Sequence, residues 1–227
     1  MEIRPISSSS KGNAYLISDS QTTVLIECGI SLKGLKRRTN FVVPIGINAC
    51  LVSHSHNDHS KSLKDLLNSG VKCYALKEVF EAKEILHHRS KAIEDKKDFK
   101  VGTLKIIPLK MYHDVPCVGF LIYSTVTNEK LLFATDTYMI KYAISDLDYI
   151  MIEANYDVEL VEDNAQRERL IKSHMSIETT IDYLKSIDLR NVKKIYLLHL
   201  SSRHSNETDF KKRVQAATGN QVVVCEE

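Results

Sequence analysis

His54, His56, Asp58 and His59 stand together in the run LVSHSHNDHS. Three imidazoles and a carboxylate in an H-x-H-x-D-H cluster supply enough donors to begin two metal sites rather than one. In extended chain His54 and His56 point the same way and can share one cation. Asp58 and His59 follow where the chain must turn, which can aim them at a second cation nearby. Neutral imidazole and carboxylate suit zinc, manganese or iron. The chain has only nine histidines in 227 residues, so three of them in one such cluster is poorly explained as chance in a solvated loop.

The neighbouring segments must position these side chains. Upstream, Ile47 to Ser53 is apolar and β-branched and reads as a short buried strand. Downstream, SKSLKDLLNSG carries Leu63, Leu66 and Leu67 at helical spacing and ends at Gly70, a helix stop. The cluster therefore sits on a strand-to-helix loop at the carboxyl end of a strand, where open sheets place their chemistry. Other strand-like segments fall near 2–6, 13–18, 22–28, 71–76, 104–109, 116–125, 130–135, 148–153, 193–199 and 220–225. Helical patterns fall near 31–38, 60–69, 77–89, 158–170, 176–187 and 206–217. The polar stretch 87–102 reads as loop, and its His87 and His88 as surface residues. No repeat or low-complexity linker divides the chain, so residues 1–227 are expected to form one α/β domain.

Apolar content of 43% and charged content of 26% are ordinary for a globular protein. No apolar stretch approaches the ~20 residues that span a bilayer, and MEIRPISSSSKG lacks the apolar centre of a secretory signal. Cys28, Cys50, Cys73, Cys117 and Cys225 are odd in number and mostly lie in apolar runs. They read as buried reduced thiols, which points to the cytoplasm. A net charge of +2 does not announce a nucleic-acid binder. The basic runs at Lys33, Lys36, Arg37 and Arg38 and at Lys211, Lys212 and Arg213 read first as solvated helix faces, compatible with phosphate contacts without establishing them.

The cluster resembles the signature of the metallo-β-lactamase-fold superfamily, H-x-H-x-D-H followed by a distant His, Asp and His. His113 in KMYHDVPCVGF, Asp136 in KLLFATDTY and His199 in KKIYLLHLS come in that order, each after an apolar run. The resemblance implies a four-layer αβ/βα sandwich with two divalent metal ions, zinc or manganese, in a cleft along one edge. His54, His56 and His113 would hold one metal, Asp58, His59 and His199 the other, and Asp136 would bridge them. The segments SSSSKGNAYLIS, TVLIECG, YHDVPCVGFLI, MIEANYDVELV, KSHMSIETT and LLHLSSRHSN resemble those of the YycJ-like (WalJ-like) branch of probable nucleases. Tyr156, Ser173 and His204 depart from that branch's pattern and mark a divergent member.

The resemblance implies a dinuclear phosphodiester hydrolase, first a nuclease acting on DNA or RNA. The alternatives are a phosphodiesterase for small cyclic phosphates or nucleotides, and a catalytically idle metal-binding regulatory or scaffold protein. Two cations ~3.5–4 Å apart can activate water and clamp a phosphoryl oxygen. Asp58 and His174 are the catalytic candidates; His174 opens H-M-S-I-E-T before a helix and either protonates the leaving oxygen or only caps or packs against that helix. Ser201, Arg203 and Asn206 either bind substrate phosphate or form a surface turn. Asp114 is a partner orienting His113 or a turn residue, and Glu153 and Asp157 line the cleft or are ordinary acidic loop residues.

Overall fold

The computed structural model describes residues 1–225, apart from the side chain of Gln166. Two sheets carry the chain. The first runs in sequence order through β1 (Glu2–Ser7), β2 (Ala14–Ser18), β3 (Thr23–Ile26), β4 (Ala49–Leu51), β5 (Cys73–Leu76) and β6 (Ser90–Ile93). The second contains β7 (Phe99–Val101), β8 (Leu104–Met111), β9 (Cys117–Ser124), β10 (Lys130–Ala134), β11 (Tyr149–Glu153), β12 (Lys194–Leu198) and β13 (Val222–Val224). In each sheet one half is an antiparallel meander, β1 to β3 or β7 to β10. The other half, β3 to β6 or β10 to β13, is parallel. Parallel strands need crossovers, and helices supply most of them: α1 (Leu32–Arg38), α2 (Asn57–Ser60), α3 (Leu63–Asn68), α4 (Lys77–Ala82), α5 (Asn164–Ser173), α6 (Ile177–Lys185) and α7 (Glu207–Thr218).

Side-chain alternation explains the layering. Leu131 and Phe133 of β10 point into the space between the sheets with Tyr15, Ile26 and Leu51 of the first sheet. Leu132 and Ala134 point the other way, into a core closed by Ile177, Leu184, Phe210 and Val214 from α6 and α7. The outer face of the first sheet, with Leu25 and Cys50, is covered by Leu35, Leu63, Leu66 and Val79 from α1, α3 and α4. Both faces of each sheet are apolar, so each must be covered twice, and four layers result. All five cysteines are buried, and none forms a disulfide among the described residues, as their apolar contexts predict.

Three expectations change. The 87–102 stretch contains β6 and β7 instead of being all loop. These are the outermost strands of their sheets, and only Ile93 and Val101 among their residues are buried. The helix expected over 77–89 ends at Ala82, and Glu84 turns into the left-handed region at φ 51°. Over 158–170 a 3₁₀ turn at Val158–Leu160 precedes α5, which continues to Ser173.

Candidate metal centre

Every residue expected at the centre lies just beyond a strand. β4 stops at Leu51, and three residues later His54 is completely buried; His56 takes the N-cap position of α2, whose short turn carries Asp58 and His59. His113 follows β8, Asp136 follows β10 and His199 follows β12. The structure brings all seven together. His54, His56, His113 and Asp136 offer donor atoms all within 4.8 Å of one another, and so do Asp58, His59, Asp136 and His199. Asp136 belongs to both groups, and to a third with Glu153, His174 and His199. Its Oδ2 lies 3.6 Å from His54 Nε2, 3.7 Å from His113 Nε2 and 3.4 Å from His59 Nε2, while Oδ1 faces His199 Nδ1, the nitrogen that Glu153 also meets, at 3.1 Å.

These spacings suit donors that share a cation. His56 Nδ1 to His113 Nε2 is 3.3 Å, and Asp58 Oδ2 lies 3.3 Å from His59 Nε2 and 3.4 Å from His199 Nε2. Donors ~2.1 Å from a tetrahedral cation stand ~3.4 Å apart, the edge of the tetrahedron. His54 Nε2 and His199 Nε2 are buried with no hydrogen-bond partner among the described residues, which would be costly for groups with nothing to bind. The donor set and its spacing therefore fit divalent cations.

The outer nitrogens are held by groups that fix how each ring points, as metal-binding imidazoles require. His113 Nδ1 donates to the Ser173 carbonyl (2.8 Å), and His54 Nδ1 meets Ser53 Oγ (2.8 Å). His199 Nδ1 meets Glu153 Oε1 at 3.1 Å; His59 Nδ1 makes no hydrogen bond among the described residues and has only the Glu27 carboxylate nearby, at 3.6 Å. Asp114 is on the inner side instead, 3.0 Å from His113 Nε2 and exposed. The Ser173 carbonyl, not Asp114, orients that ring. Asp157 accepts from Arg213 Nη1 (2.7 Å) and Glu178 from Nη2 of the same guanidinium (2.5 Å), which ties α7 to α6.

Two fully buried carboxylates, Glu27 and Glu153, are more central than their sequence contexts indicate. Glu153 ends β11 and binds four groups. Oε2 accepts from Thr137 N–H (3.1 Å) and Met175 N–H (3.3 Å); Oε1 accepts from His174 Nδ1 (2.6 Å) and His199 Nδ1. The available signal was position, since both Glu27 and Glu153 sit at strand ends like the candidate ligands. The serine-rich N-terminal loop forms the floor. Ser8 Oγ accepts the His199 N–H (3.0 Å), Asn13 N–H donates to the Asp58 carbonyl (2.7 Å) and Asn13 Nδ2 approaches His59 Nε2 at 3.2 Å. Beneath the same loop, a Cβ on Gly29 would fall 1.6 Å from the Asp58 carbonyl oxygen, so only glycine fits.

Electrostatics follow from this packing. Burial works against the charged form of Asp136, but His199 and His59 outweigh it and hold the carboxyl well below its usual range. Asp58 is likewise held low against burial, by the His199 and His59 imidazoles beside it. Burial, helped by the neighbouring imidazoles of His59, His113 and His56, drives His54 well down. His199 rises to about 10 despite burial, because Asp136, Asp58 and Glu153 surround it. His174 is also raised against burial, by Glu153. An excess of buried carboxylate favours cations here, whether protons or metals.

A model of the beta-lactamase superfamily domain matches residues 22–200. The chain belongs to the beta-lactamase superfamily. It is 26% identical over 221 residues to the exodeoxyribonuclease WalJ of Streptococcus pneumoniae, covering 88% of this chain and 81% of that protein. It is 25% identical over 215 residues to the exodeoxyribonuclease YycJ of Bacillus anthracis, covering 86% and 81%. The fold of the metallo-β-lactamase fold protein YhfI from Bacillus subtilis superposes with a TM-score of 0.78 at 16% identity, over 99% of this chain and 95% of that one. The chain is thus a divergent relative of the WalJ and YycJ proteins and a metal-dependent hydrolase.

His174 lies beside the centre, its ring centroid 5.4 Å from that of His113 and 5.5 Å from that of His199. Ser201 and Arg203 line a cavity with His174 and His199. Asn206 does not reach it; its side chain caps α7 by accepting Asp209 N–H at 3.1 Å. His87 and His88 stack on each other, 4.5 Å apart, and line none of the cavities that open on the centre.

Proposed function

We propose that this chain is a dinuclear metal-dependent phosphodiesterase that cleaves nucleic acid, DNA before RNA. The observation that carries the reading is the pair of donor groups sharing Asp136, with the His174–Glu153 pair beside them. The names of the two sequence relatives, both exodeoxyribonucleases, favour DNA. In this reading His54, His56 and His113 hold one ion, Asp58, His59 and His199 the other, and zinc or manganese fits both. When bound, such cations supply Lewis-acid stabilisation of a phosphoryl group and water activated toward a pKa of ~7.

The protein's own groups then have distinct tasks. Asp136 fixes the spacing of the two sites. Asp58, ionised and partly open to the cleft, accepts a hydrogen bond from the attacking water and holds it in line. Glu153 keeps a proton on His174, whose other nitrogen delivers it to the leaving oxygen. Five buried cysteines, with no disulfide among the described residues, support a reducing compartment, the cytoplasm, and among the described residues no helix is long and apolar enough to cross a membrane. We take residues 1–227 as one domain.

The test is metal content and turnover together. The parent should bind two ions per chain and hydrolyse a bis-aryl phosphodiester and DNA oligonucleotides, with no β-lactam turnover. Asp136→Ala should lose activity and at least one ion. A mutant that keeps most of its rate refutes the bridging role. Turnover of cyclic nucleotides with none of oligonucleotides would assign the centre to a small diester.

A further inference from the structure

Two cavities that reach the imidazoles of the metal centre differ in charge, and a third of about 320 Å³ reaches Asp58 beside Lys11 and Lys61. The larger, about 830 Å³, passes His113 and is lined by Lys77 and Lys110 but also by Glu78, Glu94, Asp95 and Asp114. The smaller, about 330 Å³, passes His174 and His199 and contains Arg169, Arg203, Ser10, Ser201 and Ser202, with no acidic residue in its lining. An anionic strand is repelled from the first and drawn to the second.

The arginines in the smaller cavity are available. The Arg169 carbonyl accepts from Ser173 Oγ, and the Arg203 N–H donates to Ser201 Oγ. Both guanidiniums are exposed and unpartnered among the described residues. They come from separate elements, the C-terminal half of α5 and the loop after β12, and line one small space. Arg213, by contrast, is spent on Asp157 and Glu178. A guanidinium offers a planar fork of donors that suits phosphate oxygens, and two forks supply two positive charges. An internal phosphodiester carries one negative charge. A phosphate monoester approaches two, so the charge match favours a chain end.

Resting on the nuclease reading above, we propose that the Arg169–Arg203 cavity binds a terminal phosphate monoester of the substrate strand and thereby directs cleavage to chain ends. The terminal phosphate sits between the two guanidiniums, with hydroxyls of Ser10, Ser201 and Ser202 as further donors. The first internal phosphate then reaches the centre past His174. A hydroxyl end leaves both forks unpaired.

The experiment compares one oligonucleotide with a 5′-phosphate, a 3′-phosphate or hydroxyls at both ends, using the metal-loaded chain and its Arg169→Ala, Arg203→Ala, Arg169→Lys and Arg203→Lys variants. A phosphate at one end should raise the parent's kcat/KM by about tenfold or more, the scale of charge-assisted hydrogen bonds. Each alanine variant should bring that ratio close to one, and each lysine variant should fall between. Anisotropy with the chelator-treated chain should show the same order in binding, without turnover. Cleavage by the parent that ignores the end, or a ratio that survives both alanine variants, overturns the proposal alone. Bis-aryl diester hydrolysis without cleavage of any oligonucleotide overturns the nuclease reading and this proposal with it.

Discussion

Replacing Glu153 by glutamine tests how the centre is held. The carboxylate takes two backbone N–H groups on Oε2 and two imidazoles on Oε1. In the amide, oxygen must stay opposite Thr137 and Met175, because an NH₂ there would oppose two donors. The NH₂ then faces His174 Nδ1 and His199 Nδ1, and each ring must turn Nδ1 into an acceptor and carry its proton on Nε2. For His199 that is the atom 3.4 Å from Asp58 that the centre needs free. Loss of such an orienting partner costs about 10–100-fold in metal affinity, or about 1.4–2.7 kcal/mol.

The change also has a signature in pH. Glu153 raises the His174 pKa against burial, so the parent keeps the acid form to higher pH. Glu153→Gln removes that support, and the basic limb of the kcat profile should move to lower pH. Titration with zinc against a chelating dye, together with pH–rate curves on an alkyl diester, measures both effects. An unchanged metal affinity with an unchanged basic limb refutes the assignment of Glu153 as the group that orients these rings.

His174→Ala should retain full metal content and lose about 10²–10⁴ in rate on a diester with an alkyl leaving group, with a much smaller loss on a nitrophenolate; equal losses on both rule out a general acid. Gly29→Ala should disrupt the ligand loop, because its Cβ overlaps the Asp58 carbonyl, and the outcome to measure is a stability loss of several kcal/mol with weakened metal binding. Asp19 links the sheets by accepting from Thr103 Oγ1 (2.6 Å) and Ser124 Oγ (2.7 Å), and Asp19→Ala should cost about 1–3 kcal/mol in urea unfolding at pH 7. Burial opposes ionisation of Asp19, but hydrogen bonds from Thr103 and Ser124 hold its pKa low. Its contribution is therefore complete above ~3.9, the unfolded value, and fades as pH falls through the lower folded one. Parent and mutant should converge in stability near the bottom of that range.

The seven candidate ligands were legible because each follows an apolar run, and strand ends are where side chains can leave the sheet without losing ladder bonds. The edge strands β6 and β7 were not legible, since a strand with one buried residue shows no alternation to read. Glu153 and Asp157 looked alike in the sequence, two acids flanking Asn155 and Tyr156. Only packing separates them: Glu153 is sealed against His174 and His199, whereas Asp157 is engaged by Arg213. Asn206 resembled a phosphate contact because it follows His199 closely, but a helix starts there and takes its side chain. Arg169 gave no signal, being one of several charges on a polar helix whose neighbour across the cavity is 34 positions away in the chain, at Arg203.

Glu27, Asp136 and His199 all have positive φ, at 62°, 49° and 53°. Such backbone is unfavourable by about 1–2 kcal/mol for a residue with a side chain, and all three stand at the centre. Glycine would relax each site while removing a carboxylate or imidazole, so selection for stability alone runs against the residues that the chemistry needs. Asp136→Gly should accordingly be the more stable of the two inactive proteins when set beside Asp136→Ala. A search for stabilising substitutions in this chain would be drawn to the same three positions, and each gain there would be taken from the catalyst.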